Sequence, residues 1–173
     1  RKIILKIQRL MVSLFVFAVS ANAYSQMIPN TKNVDIYNKQ LKETMRIFSA
    51  TQETLTEATP VFDMYKKLGY TTPEVIAISK RFIQLENDAA KLYGKDLISN
   101  PTPFSSCAML PSTAYSIWMA RLNAKTNNDV EMVNSLGQSY IKSGKECVSA
   151  MKNPPPDMIE ESDDLEIIDV DTP

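Results

Sequence analysis

The two cysteines are the residues best placed to do chemistry in this chain, and that chemistry is structural. Cys107 and Cys147 are the only cysteines. A disulfide between them would close a loop of about 40 residues, which the chain-entropy model values at about 4 kcal/mol. No Cys-x-x-Cys spacing occurs, so we predict a structural disulfide and not a redox centre. Two free thiols, the usual state in a cytosolic protein, are the alternative.

Groups that could catalyse a reaction are scarce. The chain has no histidine, which excludes histidine bases, Ser-His-Asp or Cys-His nucleophile pairs and histidine metal ligands. Ser139 and Lys142 match Ser-x-x-Lys, a short pattern that arises easily by chance. Glu53 and Glu57 are spaced to share a proton or a cation, but such acids are usually solvated. We therefore predict no enzyme, no catalytic residues, no metal-binding or cofactor-binding residues and no cofactor.

Helices must position the cysteines. Between them, apolar residues recur at helical spacing on two stripes. The residues from Thr126 to Asp129 form a turn, with Asn128 or Asp129 as a cap for the second helix. An antiparallel helical hairpin would bring Cys107 and Cys147 together. The first stripe holds Tyr115, Trp118, Met119 and Leu122, and the second holds Val130, Val133, Leu136, Tyr140, Cys147 and Met151.

Two further helices precede the hairpin. The first could be capped by Asn33, and its apolar residues repeat every seven positions. At Pro60 the helix either kinks or restarts, and Gly69 ends it. Thr72-Pro73-Glu74 then starts the second helix. The fold predicted is an all-α, four-helix bundle-like single domain over residues 24–153, with one disulfide. The heptad residues are Val34, Leu41, Phe48, Leu55 and Phe62, with Tyr37, Met45, Ala58 and Tyr65 in neighbouring turns.

The aromatic side chains lie mostly on these apolar stripes, so we interpret them as core residues. Trp118 is the only tryptophan of the chain. Its alternative role, together with the adjacent Met119, is to line a groove for a ligand.

Residues 1–23 have the pattern of a secretory signal peptide. Four basic residues without an acid accompany an apolar run of about ten residues, followed by small residues at Ala21 and Ala23. We predict cleavage after Ala23, a periplasmic location or, alternatively, secretion, and no membrane span after cleavage. An uncleaved anchor is the competing interpretation.

The last segment, residues 154–173, is acidic and begins with three prolines. Residues 24–153 hold 15 basic and 12 acidic residues, whereas this tail holds eight acidic residues and no basic one. We predict a disordered solubilising tail. It could also dock on a partner with a basic surface or fold back on the domain. The candidate partner-binding residues are Asp163, Asp164, Leu165, Glu166, Ile167, Ile168, Asp169 and Val170.

Taken together, these features predict an exported helical domain that binds another protein. Among the roles that depend on protein binding, we favour that of an inhibitor or immunity-type protein, followed by that of a secretion-accessory protein. Nucleic acid is not expected as a partner, because the basic residues are scattered and the chain is exported. The alternatives are a carrier of a small apolar ligand in the helical core and, less favoured, an enzyme that uses carboxylates alone.

Overall fold

Helices form most of the chain that the structure describes, as the sequence predicts. The structure is a computed structural model and describes residues 27–94 and 101–160. Residues Pro29–Ile159 form one compact unit. The elements are β1 Met27–Pro29, α1 Thr31–Leu68, α2 Pro73–Tyr93, α3 Ser105–Ala108, α4 Leu110–Asn123, α5 Asn127–Lys152 and β2 Met158–Glu160.

α1 is one continuous helix of 38 residues that passes through Pro60. Its N-cap is Asn30 and not the predicted Asn33, whose side-chain amide instead donates to the Asn30 side-chain oxygen at 2.9 Å. The helix ends as predicted at Gly69, which has a left-handed φ of 76° and donates its N–H to the Tyr65 carbonyl. Only glycine adopts this conformation without steric cost. Because the helix is continuous at Pro60, the predicted alternative of a restart there is wrong. The predicted C-terminal glycine is confirmed.

Three of the six buried residues of α1 are threonines, and none is a predicted heptad residue, although Tyr37 and Ala58 from the neighbouring turns are buried as expected. Thr44, Thr51 and Thr54 are each at most 1% exposed. The Thr51 and Thr54 hydroxyls donate to the backbone carbonyls four residues before them. This bond satisfies the buried hydroxyl, so the rest of the side chain can pack as a small apolar group. The heptad residues Leu41, Phe48, Leu55 and Phe62 are half-buried, and Met45 is 54% exposed.

The packing of the long helices is uneven. α1, α2 and α4 pack against one another, whereas α5 packs mainly on α4 and touches α1 only slightly. Trp118 of α4 is fully buried against Phe82 of α2, and its indole N–H donates to the Ser79 hydroxyl at 2.8 Å. The arrangement is thus a four-helix domain in which three helices form the centre. Of the second predicted stripe, Tyr140 and Cys147 are buried, but Val130 is 51% exposed, which contradicts its predicted core position.

The predicted disulfide is present between Cys107 of α3 and Cys147 of α5. Both residues are buried, and their Cα atoms are 4.7 Å apart. The connector that carries Cys107 is one helical turn, α3, which packs on α5. The disulfide therefore ties α5 to the segment that precedes α4.

α5 begins with a capping box, and its N-cap lies two residues before Asn128 and three before Asp129, the two predicted caps. Thr126 is the N-cap: its hydroxyl accepts from the Asp129 N–H, and the Asp129 carboxylate accepts from the Thr126 N–H at 2.8 Å. Asp129 also accepts from the Lys125 N–H. These backbone hydrogen bonds lower the pKa of Asp129, because they stabilise the ionised carboxylate. Asp129 thus acts at the third helical position and not as the cap itself.

The first residues of the predicted tail have a defined structure, unlike the disorder expected for them. β2 lies within this tail and pairs with β1. Next to these strands, Asn30 donates its backbone N–H to the Asp157 carbonyl and its side-chain amide to the Pro156 carbonyl. The segment after α5 therefore returns to the start of α1. Residues 1–26, with the predicted signal peptide, and the eight candidate binding residues from Asp163 to Val170 lie outside the described residues.

None of the helices in residues 27–94 and 101–160 combines the length and the apolar character needed to cross a bilayer.

Candidate functional site

An apolar groove lies along the boundary between α1 and α5, where these two helices touch only slightly. We call it the α1–α5 groove; its volume is about 410 Å³, and it opens to solvent. Met45, one turn before Phe48 on α1, and Ile141 on α5 are both half or more exposed. The groove is lined by Phe48 and Gln52 of α1 and by Tyr140, Ile141, Gly144, Lys145 and Val148 of α5.

Gly144 forms part of this groove without any packing reason to be glycine. A Cβ atom added to Gly144 would meet no other atom within 4 Å. Glycine inside a helix costs about 1 kcal/mol relative to alanine. Gly69 and Gly94 have positive φ angles at helix ends, but Gly144 and Gly137 lie inside α5. The absence of a side chain at Gly144 keeps the groove open at a cost to helix stability.

We expect the variant Gly144→Ala to be more stable than the wild type by about 0.5 to 1 kcal/mol, because alanine restricts the unfolded chain and nothing obstructs its methyl group. Chemical denaturation followed by circular dichroism measures this difference. Gly137→Ala is the matched control: it lies on the same helix, is equally unobstructed and should gain a similar amount. A loss of stability in Gly144→Ala alone would show that the glycine is required by the fold.

Two polar side chains meet inside the groove. The Gln52 amide donates to the Tyr140 hydroxyl oxygen at 2.9 Å, which joins α1 to α5. Burial raises the pKa of Tyr140 to about 12, because removing the phenolate from water disfavours the charged form. The hydroxyl therefore stays protonated at neutral pH and keeps a proton to donate.

The raised pKa of Tyr140 predicts a pH dependence that phenolate absorbance can measure. The neutral side chain favours the folded state fully below the unfolded pKa of about 10, and this contribution is lost as pH rises towards 12. Tyr140→Phe should leave the absorbance change near pH 10 intact and remove part of the change near 12. Tyr93, whose pKa burial also raises to about 12, provides the internal reference. If Tyr140→Phe reduced the change near pH 10, the hydroxyl would be open to water.

The candidate catalytic pairs do not form sites in the structure. Ser139 and Lys142 are both exposed on α5. Glu57 pairs with Arg81 of α2 across the helix boundary, and Glu53 is exposed. In residues 27–94 and 101–160, no three His, Cys, Asp or Glu side chains lie together in a way that could hold a metal ion.

A second apolar groove lies between α2 and α4 and involves one of the two residues considered for a ligand groove. Its volume is about 320 Å³, and Met119 lines it together with Leu122, Ile76 and Ile83. Trp118 does not line it, because the indole is buried beneath in the core. This groove contains no glycine, and its Ser79 already accepts the hydrogen bond of Trp118. We therefore use it as a control surface.

The sequence reasoning missed the α1–α5 groove, although one signal for it was present. The chain has only four glycines. Two of them end helices, and Gly137 and Gly144 lie inside a predicted helix; of the four, Gly144 lines the groove.

Comparison with protein-family models, with curated proteins and with solved structures finds no match for this chain.

Proposed function

We propose that this protein is a non-catalytic binding domain of the cell envelope or the extracellular space, and that it docks a protein partner in the α1–α5 groove. The observation that carries this proposal is the unfilled space at Gly144. Glycine at this position gives a less stable helix than alanine would, and it leaves the apolar side chains around it uncovered. The glycine is therefore not explained by helix stability. Contiguous apolar surface exposed on a protein often marks an interaction site.

The setting we propose is an oxidising compartment. The disulfide between Cys107 and Cys147 supports it, since such bonds persist mainly in exported proteins. The basic and apolar pattern of residues 1–23 supports export independently. In that setting we favour an inhibitor or immunity-type role. A domain without a histidine base can still inhibit its partner by binding to it and blocking its surface.

A capture experiment with groove variants tests the proposal. The full chain with its disulfide formed is immobilised and exposed to an extract of the native envelope fraction. Gly144→Leu places a large side chain in the groove and should abolish capture of the protein that the wild type retains. Ser139→Leu adds the same side chain to an exposed position of α5 that does not line the groove, so it should retain that protein.

The outcomes decide between docking sites. Loss of the same partner in Gly144→Leu, together with its retention in Ser139→Leu and in the second-groove variant Ile83→Ala, supports the α1–α5 groove. Undiminished capture by Gly144→Leu would overturn it. If the wild type retains no protein at all, the binding function itself is contradicted.

The tail segment Asp163–Val170 remains a separate proposal for the binding surface. Its alternation of acids with Leu165, Ile167 and Val170 suits docking on a basic partner. A chain ending after Glu160 keeps β2 and removes these residues. Loss of capture in this shortened chain would assign binding to the tail, and unchanged capture would leave the groove as the docking site.

A further inference from the structure

We infer that the α1–α5 groove recognises a protein segment that presents an aliphatic side chain next to a carboxylate. This inference rests on the proposed docking function and names the chemistry of its partner. It follows from the groups that the groove offers: an apolar surface and two hydrogen-bond donors.

The first donor is the ammonium group of Lys145. This side chain lines the groove, and none of the ion pairs among the described residues includes it. Those pairs involve Arg46 of α1 and Arg81 of α2, whose charges are neutralised by acids of α1 and α2. A cation at the edge of an apolar groove favours an anionic partner, because the surroundings screen their attraction less than bulk water does.

The second donor is the hydroxyl of Tyr140. Its oxygen accepts from Gln52, and within the described part of the chain no acceptor takes the hydroxyl proton. Most of the Tyr140 side chain is buried, but the residue lines the groove, so an oxygen that enters the groove can accept this proton. A carboxylate can accept from both a hydroxyl and an ammonium group, and such charge-assisted hydrogen bonds are about twice as strong as neutral ones.

The remaining lining suits an aliphatic side chain. Phe48, Ile141 and Val148 present carbon atoms to the groove, and Gly144 leaves room between them. Placing a leucine or isoleucine side chain there removes apolar surface of both partners from water, which favours binding.

A protein segment fits the groove better than a small molecule does. Pockets for small ligands enclose most of the ligand surface. The α1–α5 groove opens to solvent, and the exposed Met45 extends its apolar surface along α1. A partner must therefore bring its own cover, as an amphipathic segment of a folded protein does.

A selection from a random peptide library displayed on phage tests this inference. The library is selected on the full wild-type chain and then depleted on Gly144→Leu, so that the remaining peptides need an open groove. We expect them to be enriched in Asp or Glu beside Leu, Ile or Val. Groove-dependent peptides without acids would overturn the inferred chemistry and leave the docking function intact. The absence of any groove-dependent peptide would overturn the groove as a docking site.

Lys145 provides the second measurement. Lys145→Met keeps most of the side-chain length and removes the charge, so it should weaken binding of a selected acidic peptide about tenfold. Lys142→Met is the matched control, since Lys142 is exposed on the same helix and does not line the groove. Equal effects of the two variants would show general charge attraction and contradict the inference. Displacement of the peptide by decanoate at a concentration equal to that of the peptide would instead identify a site for small carboxylates and overturn it.

Discussion

Replacing both Cys107 and Cys147 with alanine is expected to lower the free energy of unfolding by about 4 kcal/mol. The disulfide closes a loop of 40 residues that contains α4 and most of α5, and its removal increases the entropy of the unfolded chain. The loss should be concentrated in α5, since this helix buries only Tyr140 and Cys147 and has few contacts with α1. Urea denaturation measures the total loss of unfolding free energy, and amide hydrogen exchange shows which helices lose protection.

The control for this prediction is the wild-type protein under reducing conditions. Reduction breaks the same bond without removing the sulfur atoms from the core, so it separates the effect of the cross-link from the effect of packing. Alkylation and mass measurement confirm that both thiols are free. Similar exchange rates in α2 and α5 after reduction would contradict the prediction that α5 depends most on the bond. An unchanged free energy of unfolding would contradict the role of the disulfide itself.

The end of α1, the start of α2 and the disulfide were predicted correctly from the sequence, whereas the N-caps of α1 and α5 were placed on the wrong residues. Thr72 and Pro73 start α2 as expected, and Gly69 ends α1 through its left-handed backbone. The cysteines were predicted to meet because an antiparallel helical hairpin returns the chain to its start. The two helix ends need only the types and spacing of neighbouring residues, whereas the disulfide also needs the hairpin.

The buried face of α1 could not be predicted from the apolar pattern. Thr44, Thr51 and Thr54 are polar by type, and the heptad of larger residues beside them gave a stronger signal. The difference arises because a threonine hydroxyl can donate to its own helix, as Thr51 does to Ile47. Thr44 instead accepts from the Tyr93 hydroxyl of α2. Which of these bonds forms depends on the neighbouring helix, which the sequence of α1 does not contain.

The α1–α5 groove was unpredictable for a related reason. A groove exists where two helices fail to meet, and periodicity describes each helix separately. Phe48 and Tyr140 both belong to predicted core stripes, and each is at least half-buried. What the sequence lacks is the relative position of α1 and α5, which follows from the packing of α4 between the other helices and from the disulfide. Only Gly144, a glycine inside a predicted helix, indicated an unusual position on the groove side of α5.

The second large effect is expected at Trp118, where substitution by alanine should cost about 3 to 5 kcal/mol. The indole is 1% exposed, packs near Phe82 and lies where α1, α2 and α4 meet, so its removal leaves a cavity in the centre of the domain. Ile83→Ala on the exposed side of α2 is the control and should cost less than about 1 kcal/mol.

Because Trp118→Ala could prevent folding altogether, the hydrogen bond of the indole is tested with milder variants. Trp118→Phe keeps an aromatic ring and loses the N–H that donates to Ser79, while the Ser79 hydroxyl still donates to the Val75 carbonyl. A double-mutant cycle of Trp118→Phe with Ser79→Ala, measured by urea denaturation and circular dichroism, should give a coupling energy of about 0.5 to 1.5 kcal/mol. A coupling near zero would show that the tryptophan acts through its volume alone, and a small cost for Trp118→Ala would contradict its central position between the three helices.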